Sequence, residues 1–110
     1  ISIDDRTIEK MLSYSNAYSR YTIPAGTYDG QEEAVNTIGV TSVLVTSDSM
    51  SEDLIQQLTS MLFEKSKELQ YSTSLDLHLN KEFATSNIPI PFHSGAAKYY
   101  EENGLDVNLQ

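Results

Sequence analysis

Residues 88–105 read Ile88-Pro-Ile-Pro-Phe-His93-Ser-Gly-Ala-Ala-Lys-Tyr-Tyr100-Glu-Glu-Asn-Gly-Leu105. Each proline fixes its own φ and pushes the residue before it into an extended conformation, so the stretch opens as a rigid approach. Ser94 is a candidate helix cap and Gly104 a candidate helix stop. Together they predict a short helix over residues 95–103. Such a helix has little stability of its own in water, so it needs a larger body to dock on.

Working back from it, Ser49 and Glu52 form a capping-box pattern. Leu54, Ile55, Leu58, Met61, Leu62 and Leu69 follow at helical spacing and predict one apolar stripe. Glu64 and Glu68 face Lys67 and Lys65 across the outer surface of this helix. Between the two helical patterns, Leu75, Leu77 and Leu79 alternate as a strand would, but the reading adopted is a helix over residues 74–83. Before the capping box, residues 36–46 are rich in β-branched side chains and predict a strand. Val43-Leu-Val45 is apolar on both faces, as in a central strand with helices on both sides. Further back, Tyr21-Thr-Ile23 is held extended by Pro24, and Ala25-Gly-Thr-Tyr-Asp-Gly30 is a loop with two glycine punctuation points. Asp4 or Asp5 can cap a helix to about Tyr14 with Ile8, Met11 and Leu12 on one face. Ile1-Ser-Ile3 reads as the end of a strand. One clear strand among several helices does not make a sheet. The expectation is an α/β chain of one domain or fragment, 1–110, with a small sheet flanked by helices, packing against further strands.

With 110 residues and 39% hydrophobic content, the chain can bury roughly two-thirds of its unfolded surface. It starts with Ile rather than Met, which reads as a processed or truncated product. No apolar run is long enough to span a membrane. The formal charge is −9, from 16 acidic and 7 basic residues. The basic residues are scattered without a stripe, which argues against nucleic-acid binding. With no cysteine, thiolate zinc sites, disulfides and cysteine nucleophiles are excluded.

Several residues have a functional and a bland reading. His93 can contact a ligand beside free helix N–H groups, or it can bond across the turn and lock the helix. His78 with His93 and carboxylates can hold a metal, but their spacing gives no support, and no metal or cofactor is expected. Seven tyrosines include four close together: Tyr14, Tyr18, Tyr21 and Tyr28. Tyrosine joins a flat apolar body to a polar tip, which suits a cleft closing on a polar small molecule or simple half-buried packing. Thr22, Thr27 and Thr37 carry hydroxyls for a carboxylate, or caps for a loop. No serine sits in a nucleophile elbow and no carboxylate pair has assignable acid and base roles, so no enzyme activity is expected.

Four pieces of the chain, in order, resemble the C-terminal part of the TAXI family of TRAP-transporter solute-binding proteins. They are Tyr21-Thr-Ile-Pro-Ala-Gly-Thr-Tyr28 with Gln31 after it; Val35-Asn-Thr-Ile-Gly-Val40 leading into Val43-Leu-Val-Thr46; the helix start Ser51-Glu-Asp-Leu54; and residues 88–105 as quoted. The family tends to have Pro where this chain has Ser94. Residues 71–87 match less well, and the family's N-terminal lobe and much of its second lobe have no counterpart here.

The resemblance implies a type II periplasmic binding-protein-like fold, of which this chain is a C-terminal portion. It implies capture of a small organic anion, of the glutamate or 2-oxoglutarate class, and delivery to membrane-embedded TRAP permease subunits. The location implied is periplasmic or extracytoplasmic, in a bacterium or archaeon, with a lipid anchor on the full-length protein compatible. Residue type and position place the ligand contacts at Tyr21, Thr22, Thr27, Tyr28 and Thr37, with His93 as a structural turn or further contact. The alternative is a non-transport ligand-sensing or protein-interaction module on the same fold. An exposed sheet edge also allows self-association.

Overall fold

The structure, a computed structural model, describes residues 1–73, 77 and 79–109. These form two compact units, Ile1–Val43 and Leu44–Gln110.

In the first unit, Asp4 stands extended and caps helix α1 (Asp5–Leu12). Its carboxylate accepts from the Thr7 amide at 3.0 Å and the Thr7 hydroxyl at 2.7 Å. The helical spacing puts Ile8 on the inner face, where it is fully buried. α1 packs against β1 (Tyr18–Ile23), which pairs antiparallel with β2 (Val35–Val40) in a two-stranded sheet. The register runs from Tyr18 opposite Val40 to Ile23 opposite Val35. Residues 1–3 run beside β2 through an Ile3 N–H to Asn36 carbonyl bond of 2.9 Å, but they are not a strand as expected.

The strand expected over residues 36–46 stops at Val40. Val43-Leu-Val45 is not a central strand: Leu44 is 82% and Val45 66% exposed. The reason is pairing. Val40 lies opposite Tyr18, the first residue of β1, so nothing in the hairpin continues the ladder beyond it. β-propensity becomes structure only where a partner strand is present.

In the second unit, α2 (Glu52–Glu64) starts from Ser51, whose Oγ accepts from the Leu54 N–H at 3.4 Å. Ser49, the expected cap, instead shares a 2.8 Å hydroxyl contact with Ser47. The helix ends at Lys65 rather than continuing to Leu69, and α3 (Ser66–Tyr71) follows. The expected helix over residues 74–83 falls partly outside the described residues, at 74–76 and 78. Leu77, Leu79 and Asn80 are not helical. Asn80 caps the short α4 (Lys81–Thr85), accepting from the Phe83 N–H at 2.7 Å.

The last helix is α5 (Ser94–Glu102), capped by His93 rather than by Ser94. His93 is still extended where Ser94 is already helical, and its imidazole is long enough to reach the Gly95 amide. Gly104 closes the helix at φ +79°, a conformation in which glycine has no side-chain penalty. The Gly104 and Leu105 N–H groups bond back to the Glu101 and Tyr100 carbonyls at 2.9 and 3.0 Å.

α5 packs on α2, and Gly95 decides how. A Cβ there would sit on the Glu52 carbonyl oxygen and within 3.0 Å of Ile55 Cβ. The start of α5 therefore rests on the α2 backbone and buries Ile55 and Thr59. Leu54, Leu58 and Met61, from the expected inner stripe, remain 41%, 45% and 55% exposed. The core is aromatic. Phe63 stacks on Tyr99 at 5.6 Å between ring centroids and meets Tyr100 edge-on at 5.9 Å. Phe92 closes the other side of Tyr100 at 5.6 Å. Offset and edge-on pairs of this kind are the favoured arrangements of ring quadrupoles. Lys98–Glu52 at 3.1 Å and Gln56–Glu102 at 2.8 Å tie the outer rims of the two helices.

Candidate functional site

The register sets Tyr21 directly opposite Thr37, and Thr22 opposite Asn36. Side chains alternate along a strand, so Tyr21 and Thr37 share one face of the hairpin and Thr22 and Asn36 the other. Thr22 donates its hydroxyl to Asn36 Oδ1 at 3.0 Å. On the first face, Tyr21 lies against Gly39: a Cβ at residue 39 would approach Tyr21 Cβ at 3.3 Å. A small residue there leaves room for the ring. Among the described residues, the hydroxyls of Tyr21, Thr37 and Tyr28 have no hydrogen-bond partner. They are available to a ligand.

Thr27 and Tyr28 belong to the loop joining the strands. The Thr27 hydroxyl donates to the Pro24 carbonyl at 2.7 Å, so its one proton is already committed within the loop. Tyr28 projects outward and is 65% exposed. Gln31 holds this loop together. Its Nε2 donates to the Pro24 and Glu33 carbonyls at 3.0 Å each and more weakly to Ile23 at 3.5 Å. Its Oε1 accepts from the Tyr28 N–H at 3.3 Å. Reversing the amide would set carbonyl against carbonyl, so the network fixes its orientation.

Arg20 is the only basic residue on the hairpin, and it is engaged. Its guanidinium bonds Asp5 and Glu9 at 2.6 Å each. These two bonds, to Asp5 first and Glu9 second, hold its pKa above the ordinary arginine value. By strand alternation Arg20 lies on the face of Thr22, so the Tyr21 and Thr37 face offers an anion hydroxyls rather than a free cation. Beside the loop lies a shallow, open depression lined by Ser2, Gly30, Gln31, Glu32, Glu33 and Val35, among others. Its two glutamates disfavour a carboxylate there.

His93 lies in the second unit. Its Nδ1 accepts from the Gly95 N–H at 3.1 Å, so its Nε2 carries the proton and donates to the Met50 carbonyl at 3.1 Å. Both ring nitrogens are occupied in bracing the start of α5. His78, its suggested metal partner, lies outside the described residues. Among the described residues, no group of three or more His, Cys, Asp or Glu could hold a metal ion.

The structure thus brings Tyr21, Thr37, Thr22, Thr27 and Tyr28 onto one hairpin and its loop. Tyr21 and Thr37 share a face with free hydroxyls, whereas the hydroxyls of Thr22 and Thr27 are spent on neighbours. Two contributors have no reading of their own in residues 21–39: Asn36, which takes up the Thr22 hydroxyl, and Gln31, which orders the loop. The available signal for Gln31 was its place at the end of the first piece of the resemblance, directly after Gly30 and before two glutamates.

A family model described as the NMT1-like family matches residues 1–104. That span includes the hairpin, its loop, the paired helices α2 and α5 and the His93 turn. The chain belongs to the NMT1-like family, which is related to the periplasmic binding proteins.

Proposed function

We propose that this chain is the C-terminal portion of a two-lobed extracytoplasmic solute-binding protein with a type II periplasmic binding-protein fold. It serves a TRAP-type transporter as a TAXI-like component and has no catalytic role. A small organic anion, of the glutamate or 2-oxoglutarate class, is captured by cleft closure, which shifts an open–closed equilibrium. The loaded protein then meets membrane-embedded permease subunits. The observation that carries this reading is the pair of unpartnered hydroxyls, Tyr21 and Thr37, facing out from directly opposed strand positions in a chain of this family. The family match supports a solute-binding role, and the resemblance of four sequence pieces supports the finer assignment.

The test is calorimetric titration of the complete protein with L-glutamate and 2-oxoglutarate, comparing wild type with Tyr21→Phe. That substitution keeps the ring over Gly39 and removes only the hydroxyl. A hydrogen bond to a charged group contributes about 1.5–3 kcal/mol, so affinity should drop roughly 10- to 100-fold. Unchanged affinity would remove Tyr21 from the site.

A further inference from the structure

We infer that Gln31 is the positioning residue of the hairpin site, setting the loop that carries Thr27 and Tyr28 without itself contacting ligand. This rests on the solute-binding reading above.

Residues 24–30 are all exposed, so no buried side chain anchors the loop. Gly26 and Gly30 stand at φ +76° and +78°, and a Cβ at either position would meet nothing within 4 Å. Packing therefore does not hold the loop in its observed path. Thr27 closes one turn of it by donating its hydroxyl and N–H to the Pro24 carbonyl at 2.7 and 3.3 Å, and Gln31 makes the remaining ties across the loop. Besides its side-chain bonds, the Gln31 N–H donates to the Tyr28 carbonyl at 3.1 Å, and the Gln31 carbonyl accepts from Gly26 at 2.8 Å. Gln31 thus bonds residues on both sides of the loop: Ile23 and Pro24 at the end of β1, and Glu33 just ahead of β2. An amide has two donor protons and an acceptor oxygen, so it alone can satisfy carbonyls on both arms and the Tyr28 N–H between them. A loop held this way presents the free Tyr28 hydroxyl ready-placed, beside a Thr27 whose hydroxyl is held by Pro24. Without the amide, only a fraction of molecules hold the competent arrangement, and apparent affinity falls by that fraction.

The deciding experiment compares wild-type complete protein with Gln31→Met and Gln31→Glu. Methionine keeps the length and the two backbone bonds of residue 31 but loses every side-chain bond; glutamate keeps the acceptor and sets a carboxylate against the Pro24 and Glu33 carbonyls. Binding of L-glutamate and 2-oxoglutarate is measured by calorimetry, loop order by amide hydrogen exchange at Gly26 and Tyr28, and global stability by thermal melting. The expected result is faster exchange at both amides, affinity about tenfold weaker and an unchanged melting temperature in both variants. Wild-type exchange at Gly26 and Tyr28 in the variants would overturn the inference, as would faster exchange with wild-type affinity. A wild-type protein that takes up neither probe overturns the solute-binding reading and the loop's assigned purpose with it. Wild-type binding with undiminished binding by both variants overturns the positioning role alone.

Discussion

Tyr100 is where burial acts most directly on a single ionisable group. It is 7% exposed, packed between Phe63, Phe92 and Tyr99. Burial first, and the neighbouring Tyr99 second, push its pKa above the ordinary tyrosine value. The folded state therefore holds this proton more tightly than the unfolded chain. Stability is fully present below about pH 10, the unfolded value, and falls as pH rises through the folded pKa. Helicity and tyrosine ultraviolet absorbance, followed together through an alkaline titration, should show α5 lost as Tyr100 ionises. In Tyr100→Phe the loss should move to higher pH; an identical curve would mean another group controls it. His93 shows the same scale at work in polar form. One imidazole satisfies a helix N–H and a distant carbonyl at once, which a serine cap could not do.

At the scale of elements, glycine sets the helix pair as much as any apolar side chain. Gly95 allows α5 to rest on the α2 backbone, and that contact selects Ile55 and Thr59 as the inner face. Gly95→Ala drives a methyl group into the Glu52 carbonyl, and backbone cannot swing aside as a flexible side chain can. Overpacking of this kind costs about 1–3 kcal/mol or more. Chemical denaturation should show a midpoint lowered accordingly, with faster amide exchange along α5. A wild-type midpoint would mean that the helices can separate without loss. The hairpin illustrates the complementary rule, since β2 lasts only as long as β1 lies beside it.

For the whole molecule, the informative groups are apolar and exposed: Leu54, Leu58 and Met61 along one face of α2, and Leu44 and Val45 in the segment before it. Clusters of exposed large apolar groups usually mark contact surfaces. If this chain is one portion of a two-lobed protein, the outer face of α2 is covered in the complete protein. Leu58→Asp should then lower the stability of the complete protein by up to about 1.5–3 kcal/mol more than that of the isolated chain, the range for burying a leucine. The isolated chain, in which Leu58 is 45% exposed, should lose less. Equal, small effects in both, read by denaturant midpoints, would show that α2 faces solvent in the complete protein too.

The sequence by itself determined what short-range physics controls. Asp4 and Gly104 acted as the caps their chemistry predicts. The prolines led into a helix at the expected place, and the two-glycine loop followed Pro24. The candidate residues on the hairpin read as a group because they are close along the chain. Tertiary structure decided the rest. Which α2 face is inside depends on a glycine some forty residues away. Whether Val43-Leu-Val45 is a strand depends on a pairing partner, because its propensity cannot satisfy its own backbone groups. Which threonines keep a free hydroxyl depends on the strand register and the Pro24 turn. Caps and turns form within three or four residues, whereas packing faces and strand partners are chosen by parts of the chain that local sequence does not see.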